Sequence, residues 1–233
     1  MKEVKKQTLV SLLSDRDLTF VSIWNPTFFS NLLKEFEDSP EDILSSIKDT
    51  KRVKLLRKTL KNRKVDVLYE EIWPNISLIS SWTEGNSNNF LRQLKKRFPN
   101  TPVQGKGLIS TEAFISLPYS KAGGNILSIN SHFFEFKELE SKRVVLLGGV
   151  KKGGKYEVIV TTSGGLYRYN TQDIIEVTGF YKKCPLLKFI GRNNNVSDLF
   201  GEKLNEFHVN KILQKEFAKR KINPPFFMMA PEK

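Results

Sequence analysis

One cysteine, two histidines and no long apolar run mark this chain, and each scarcity removes a class of protein. A lone cysteine, Cys184, cannot close an internal disulfide, so a disulfide-held scaffold is excluded and a reducing, cytoplasmic compartment is expected. His132 and His208 lie far apart in sequence, and with a single thiol they cannot supply the usual Cys/His zinc spacing. No apolar stretch approaches the roughly 18 residues of a membrane span. The basic start MKEVKKQ leads into LVSLL, too short for the apolar centre of a signal peptide, and no small-residue cleavage site follows. Internal repeats and low-complexity tracts are also missing.

What is present is a globular composition. The 233 residues are 39% hydrophobic and 27% charged, enough for one large domain or one and a half. Lysine and arginine outnumber aspartate and glutamate by 38 to 25, a net charge of +13, which raises the question of nucleic acid. Only residues 51–64 are densely basic. There Val53, Leu56 and Leu60 recur at helical spacing, so the cations read as the solvated face of a helix. The charge then serves to attract an anionic substrate, and no specific nucleic acid partner is expected.

The first half alternates helices with short strands. Asn25-Pro26 starts a helix with the apolar stripe Phe28, Phe29, Leu32, Leu33 and Phe36. Ser39-Pro40-Glu41-Asp42 starts another, with Asp42 at the capping-box position. A helix is expected over Asp66–Ile72, a strand over Ile76–Trp82, a helix over Asn88–Phe98 and a strand from Val103, a rhythm that predicts parallel neighbours. The second half changes character. Arg143–Val150, Tyr156–Thr162, Leu166–Tyr169, Ile174–Phe180 and Leu186–Ile190 read as an antiparallel meander, or a distorted barrel. A helix over about 203–220 and a strand at Phe226–Met229 follow.

Two segments suggest chemistry. In residues 163–192 an aromatic-basic run, Leu166–Tyr169, precedes the lone acid Asp173, and a strand-like run exits at Gly191-Arg192. A carboxylate can take two ribose hydroxyls and an arginine a phosphate or ribose oxygen, although the spacing alone reads first as a plain hairpin. Upstream, Gly105-Lys106-Gly107 precedes a strand ending in Ser110, Thr111 and Glu112. Hydroxyls there can meet phosphate and the carboxylate can meet magnesium, which prefers hard oxygen ligands; a polar strand edge is the plain alternative. Gly149–Lys155 has G-x-x-x-x-G-K spacing, but Tyr156 replaces the hydroxyl residue and no helix follows, so a turn is expected. His132 is a weak candidate for a general base.

These pieces fall in a familiar order. Trp24–Phe28, Trp73–Asn75, Ser81–Asn86, Pro102–Gly107, Thr111-Glu112, Gly165–Tyr169 with Asp173, and Gly191-Arg192 with Val196–Glu206 together resemble the Gretchen Hagen 3 auxin-responsive acyl-acid amido synthetases of the adenylate-forming superfamily. The resemblance implies an α/β (mixed α+β) fold. Residues 1–192 would be an incomplete large adenylation domain, α/β to about 130 and meander over about 131–192. Residues 193–233 would be a hinge and the start of a small C-terminal domain. It implies an ATP-dependent ligase that adenylates a carboxylic acid and passes the acyl group to an amino acid, with Mg2+ as cofactor. Transfer to coenzyme A, or a non-catalytic basic binding module, are the alternatives. By resemblance Thr111 contacts the α-phosphate, Glu112 holds magnesium, Asp173 binds the ribose, Arg192 contacts ribose or phosphate, and Asn194 is the hinge residue. Ser110 and Tyr169 complete the nucleotide side. Two departures accompany this. No Ser/Thr/Gly-rich phosphate loop lies before Trp24, so the chain is expected to be an internal fragment lacking N- and C-terminal parts, inactive alone. And Gln172 stands where the family more often has glycine before the acid.

Overall fold

The computed structural model describes residues 2–62, 67–193, 196–197, 204–222, 224 and 227. They divide into two compact units, one comprising Met1–Thr83 and Ser87–Gly105, the other Glu84–Asn86 and Lys106–Phe227.

The first unit is helical around a small parallel sheet. Strands β1 (Phe20–Ser22), β2 (Leu78–Ser81) and β3 (Val103–Gly105) pair in parallel, with β2 in the centre. The expected rhythm is therefore present, with α1 (Lys2–Ser14), α2 (Pro26–Asp38), α3 (Pro40–Leu44), α4 (Thr50–Asn62), α5 (Tyr69–Ile72) and α6 (Leu91–Arg97) packed around it. Asn25 caps α2 by accepting from the Thr27 N–H at 2.9 Å, and Pro26 takes the first helical position. Phe29, Leu32, Leu33 and Phe36 are buried as expected, but Phe28 is exposed. It lies one residue before the buried Phe29, and α2 turns only one face inward. Ser39 makes no side-chain cap for α3, so the capping-box expectation fails: Ser39 also closes α2, through its N–H to the Glu35 carbonyl.

The core of this unit is aromatic. Trp73, Tyr69, Phe98 and Phe29 stack in series with ring centroids 5.6–5.7 Å apart. The Trp73 indole N–H reaches the Leu12 and Asp15 carbonyls at the end of α1. Arg52 departs from the solvated face expected of residues 51–64. It is buried, and its guanidinium donates to the Leu13, Ile72 and Asp15 carbonyls at 2.7, 2.7 and 2.9 Å. Arg97 and Glu37 form a second inward pair, bidentate at 2.8 and 2.9 Å.

The second unit carries a seven-stranded antiparallel sheet in the order β4 (Ser116–Tyr119), β5 (Gly124–Leu127), β10 (Cys184–Arg192), β9 (Tyr169–Tyr181), β8 (Lys155–Thr161), β6 (Phe133–Glu138), β7 (Val144–Leu146). The meander is thus an open sheet; among the described residues its edges β4 and β7 do not pair into a barrel. Leu166–Arg168, expected within a strand, is instead irregular backbone after the turn at Ser163-Gly164, and β9 begins at Tyr169 and runs 13 residues. Gly149–Lys155 is the expected turn into β8. Glu84 belongs to this unit despite its place in the chain. Its carboxylate accepts from the Phe189 N–H at 3.0 Å and the Asn125 amide at 2.9 Å, and burial pushes its pKa up. A short ladder, β11 (Val196–Ser197) with β12 (Leu204–Asn205), precedes helix α7 (Glu206–Lys219). The strand expected at Phe226–Met229 lies outside the described residues, Phe227 excepted. No helix among the described residues is long and apolar enough to cross a membrane.

Candidate nucleotide site

Two irregularities in the sheet build the site. Along β9, Thr171, Asp173, Ile175 and Val177 alternate inward. Opposite them, β8 and β9 slip register between Glu157 and Ile159: Glu157 pairs with Ile174 and Ile159 with Asn170. Three residues of β9 therefore face one of β8, a bulge that needs a left-handed residue, and Gln172 supplies it at φ 60°. Asn170 compensates in part by accepting from the Gln172 N–H at 2.8 Å.

The second irregularity is a slip between β9 and β10 at Phe189–Gly191, which sets Arg192 directly across from Asp173. The Arg192 Nε lies 3.1 Å from Asp173 Oδ1, and its Nη2 donates to the Thr171 carbonyl at 3.0 Å. Asp173 is 4% exposed, and its own N–H donates to Thr171 Oγ1. Burial pushes the carboxyl up to about 6, Arg192 and the Thr171 contact pull it down, and the negative charge of Glu112 adds to the rise. Glu112 thus stands within electrostatic reach of Asp173.

Glu112 arrives on a doubled-back loop. Gly107 has φ 75°, and a Cβ there would come within 2.4 Å of the Ser116 carbonyl oxygen, so only glycine permits the turn. Leu108 then locks to Ser116, and Ile109 bridges Phe114. Ser110, Thr111 and Glu112 are the tip of this small hairpin, a correction to the expectation that they end a strand. The Ser110 hydroxyl is occupied within the tip, accepting from the Ala113 N–H at 3.2 Å and donating to the Ala113 carbonyl at 3.3 Å. Thr111 is exposed, and its hydroxyl meets no hydrogen-bond partner among the described residues. Tyr169 is exposed at the start of β9. Asn194 lies outside the described residues. His132 is tied up elsewhere, its Nε2 accepting from the Phe114 N–H at 3.3 Å, which leaves it unsuited to take a substrate proton.

The fold therefore pairs Asp173 with Arg192 and sets Glu112 within electrostatic reach of Asp173, with Thr111 next to Glu112 in the chain. Three polar residues that the sequence did not single out complete the surroundings: Glu157, Asn170 and Asn193. Glu157 is a buried carboxylate on β8 that accepts from the Asn170 amide at 2.8 Å, the Asn193 amide, and the Lys137 ammonium at 3.3 Å. Burial alone would raise its pKa, but these donors outweigh it and hold Glu157 below the ordinary glutamate range.

No group of three or more metal-ligating side chains occurs among the described residues, so these residues by themselves offer no closed metal cage. Magnesium does not need one. It takes one or two carboxylates and completes its shell with water and substrate phosphates. A single carboxylate beside an exposed hydroxyl, Glu112 with Thr111, fits that pattern.

The comparisons with known proteins agree on one family. The model of the GH3 family N-terminal domain matches residues 1–103, and that of the GH3 family central domain matches residues 125–192. The probable indole-3-acetic acid-amido synthetase GH3.1 of Arabidopsis thaliana is 29% identical over 164 residues, covering 68% of this chain and 28% of its own length. The 4-substituted benzoates-glutamate ligase GH3.12 of the same organism is 31% identical over 147 residues, 60% of this chain and 26% of its own. Among solved structures, AtGH3.15 acyl acid amido synthetase in complex with 2,4-DB superposes with a TM-score of 0.81 at 22% identity, over 94% of this chain and 44% of that one. The chain spans under a third of the curated relatives' length and under half of the solved enzyme's.

Proposed function

The chain belongs to the GH3 family, and from that premise we propose that it carries the ribose and magnesium side of the active site of an ATP-dependent acyl-acid amido synthetase. The reaction joins a carboxylic acid to ATP as an acyl-adenylate with loss of pyrophosphate. The amine of an amino acid then attacks the acyl carbon and expels AMP. Residues 1–192 form part of the large adenylation domain, and 193–233 the hinge, with Asn194 in it, and the start of the small domain. The setting is cytoplasmic.

The observation that carries this reading is the cross-strand pair Asp173–Arg192, 3.1 Å apart at the exit of β10, with Glu112 within electrostatic reach of Asp173. An ionised Asp173 accepts from the ribose hydroxyls, and Arg192, 42% exposed in its side chain, keeps donors for a ribose or phosphate oxygen. Thr111 donates to the α-phosphate, Ser110 stiffens the tip that carries it, and Tyr169 borders the nucleotide. Bound magnesium, held by Glu112 and phosphate oxygens, neutralises charge on the phosphates. A net charge of +13 favours arrival of a polyanionic nucleotide and an anionic acid.

The test is calorimetric titration of the chain with AMP, and with ATP and magnesium. Binding is expected, and Asp173→Asn should weaken it about tenfold, the scale of one hydrogen bond to a charged group. Equal binding by wild type and variant would remove Asp173 from the site. Offered ATP, magnesium and a panel of carboxylic acids, these 233 residues should release negligible pyrophosphate, since no Ser/Thr/Gly-rich phosphate loop lies among them. Robust release would refute that part of the reading. Offering amino acids or coenzyme A as acceptor to an active form separates amide from thioester formation.

A further inference from the structure

Asp173 and Arg192 lie on different strands, and each is followed or preceded by an irregular backbone. Their cross-strand pairing is backed by a third strand, β8. Asn170, three residues before Asp173, and Asn193, immediately after Arg192, both donate their side-chain amides to the same carboxylate, Glu157 on β8. Asn170 in turn accepts from the N–H of the left-handed Gln172, while the Asn193 N–H donates to the Gln172 carbonyl at 2.9 Å. The bulge, the acid and the arginine are thereby referenced to one buried negative charge. Its side chain is 1% exposed, and Lys137 supplies the compensating cation.

We propose that Glu157 is a positioning residue for the nucleotide site, holding the Asp173–Arg192 pair in register through Asn170 and Asn193; the inference rests on the nucleotide reading given above. A carboxylate suits the task because it only accepts, and its two oxygens take three donors at once. A glutamine at 157 would turn one amide NH2 against an amide donor from Asn170 or Asn193, so one of the two links breaks. The bulge is strained at Gln172, and a strained backbone keeps its shape only when its surroundings over-determine it. Loss of a link therefore releases the geometry of the pair without removing either member.

The experiment compares wild type, Glu157→Gln, Asn193→Ala and the double variant Glu157→Gln/Asn170→Asp. AMP affinity is read by calorimetry, and amide exchange at the Asn193 N–H by NMR in the nucleotide-free protein. Glu157→Gln should weaken AMP about tenfold and lower the protection of the Asn193 amide, with the protein still folded. Asn193→Ala, an exposed position, should weaken AMP about threefold and keeps the test alive should Glu157→Gln fail to fold. In the double variant the new amide at position 157 donates to the new carboxylate at position 170 while still accepting from Asn193, and affinity should return to within about twofold of wild type. Wild-type affinity in folded Glu157→Gln, or in Asn193→Ala, would overturn the proposal, as would unchanged Asn193 protection. If wild type itself binds no AMP, the nucleotide reading fails, and the exchange measurement alone decides whether Glu157 holds the pair.

Discussion

The helical unit closes off its inward charges Arg52, Arg97 and Glu37, whereas the sheet unit closes one, Glu157, and leaves another, Asp173, only partly satisfied. In the helical unit Arg52 spreads its guanidinium over three carbonyls that end two helices, and Arg97 and Glu37 engage both nitrogens with both oxygens. These charges are closed off. In the sheet unit the buried Asp173 has one cation and the Thr171 contact for two oxygens, burial pushes its carboxyl up to about 6, and the charge of Glu112 adds to that rise. Backbone strain follows the same division. The left-handed Arg168 and Gln172 flank the sheet-unit site, whereas the non-glycine residues of the helical unit show no positive φ among those described. Closed networks hold a fold together. Incompletely satisfied groups on a strained frame leave capacity for a ligand.

The comparison breaks first at Arg52. Arg52→Met leaves three carbonyls without their donor and should cost about 4 kcal/mol in urea unfolding, while the AMP affinity of the folded fraction stays unchanged. A loss below about 1 kcal/mol would show that the helical unit does not depend on this closure. Arg192→Ala should do the reverse. Its side chain is 42% exposed and the Asp173 left behind can take up a proton, so stability should fall by less than in Arg52→Met, while AMP affinity should fall about tenfold at neutral pH. The smallest effect is expected at Gln172. Gln172→Gly relieves the left-handed strain but adds chain entropy to the unfolded state, and should stabilise by about 0.5 kcal/mol with AMP binding preserved. Destabilisation by that change would mean that the glutamine side chain contributes a contact that outweighs the strain.

Much of this was legible in the chain. The strand–helix rhythm gave the parallel sheet, and the lone carboxylate ahead of a Gly-Arg exit gave the two residues that do pair. Arg52 was hidden in a run of cations, although its spacing of four from Leu56 put it on the buried face. Phe28 was misplaced because a run of aromatics blurs helical phase. Leu166–Arg168 reads as a strand by composition, but its backbone is irregular before β9 begins. Glu157, Asn170 and Asn193 could not have been found. They meet only through antiparallel register, across 13 and 36 residues, and all positions from Tyr156 to Val160 are buried, so no alternation sets the glutamate apart. Ser110–Glu112 read as a strand end but form a hairpin tip, since the close approach of Gly107 to Ser116 is a tertiary fact.

The same carboxyl offers the most direct test. Asp173 is raised from the ordinary 3.8 to about 6, so the folded state binds more protons than the unfolded chain between those values. Its contribution to stability is therefore complete below about pH 4 and lost as the pH rises through about 6, the range in which the carboxylate becomes able to accept from a ribose. Adenosine, which lacks the phosphate that itself titrates at about 6, is the probe, its affinity measured by calorimetry from pH 5 to 8 for wild type and Asp173→Asn. The account predicts that wild-type affinity rises about tenfold with a midpoint near 6, and that Asp173→Asn binds weakly with no such midpoint. A flat wild-type profile, or a midpoint that persists in Asp173→Asn, would contradict it.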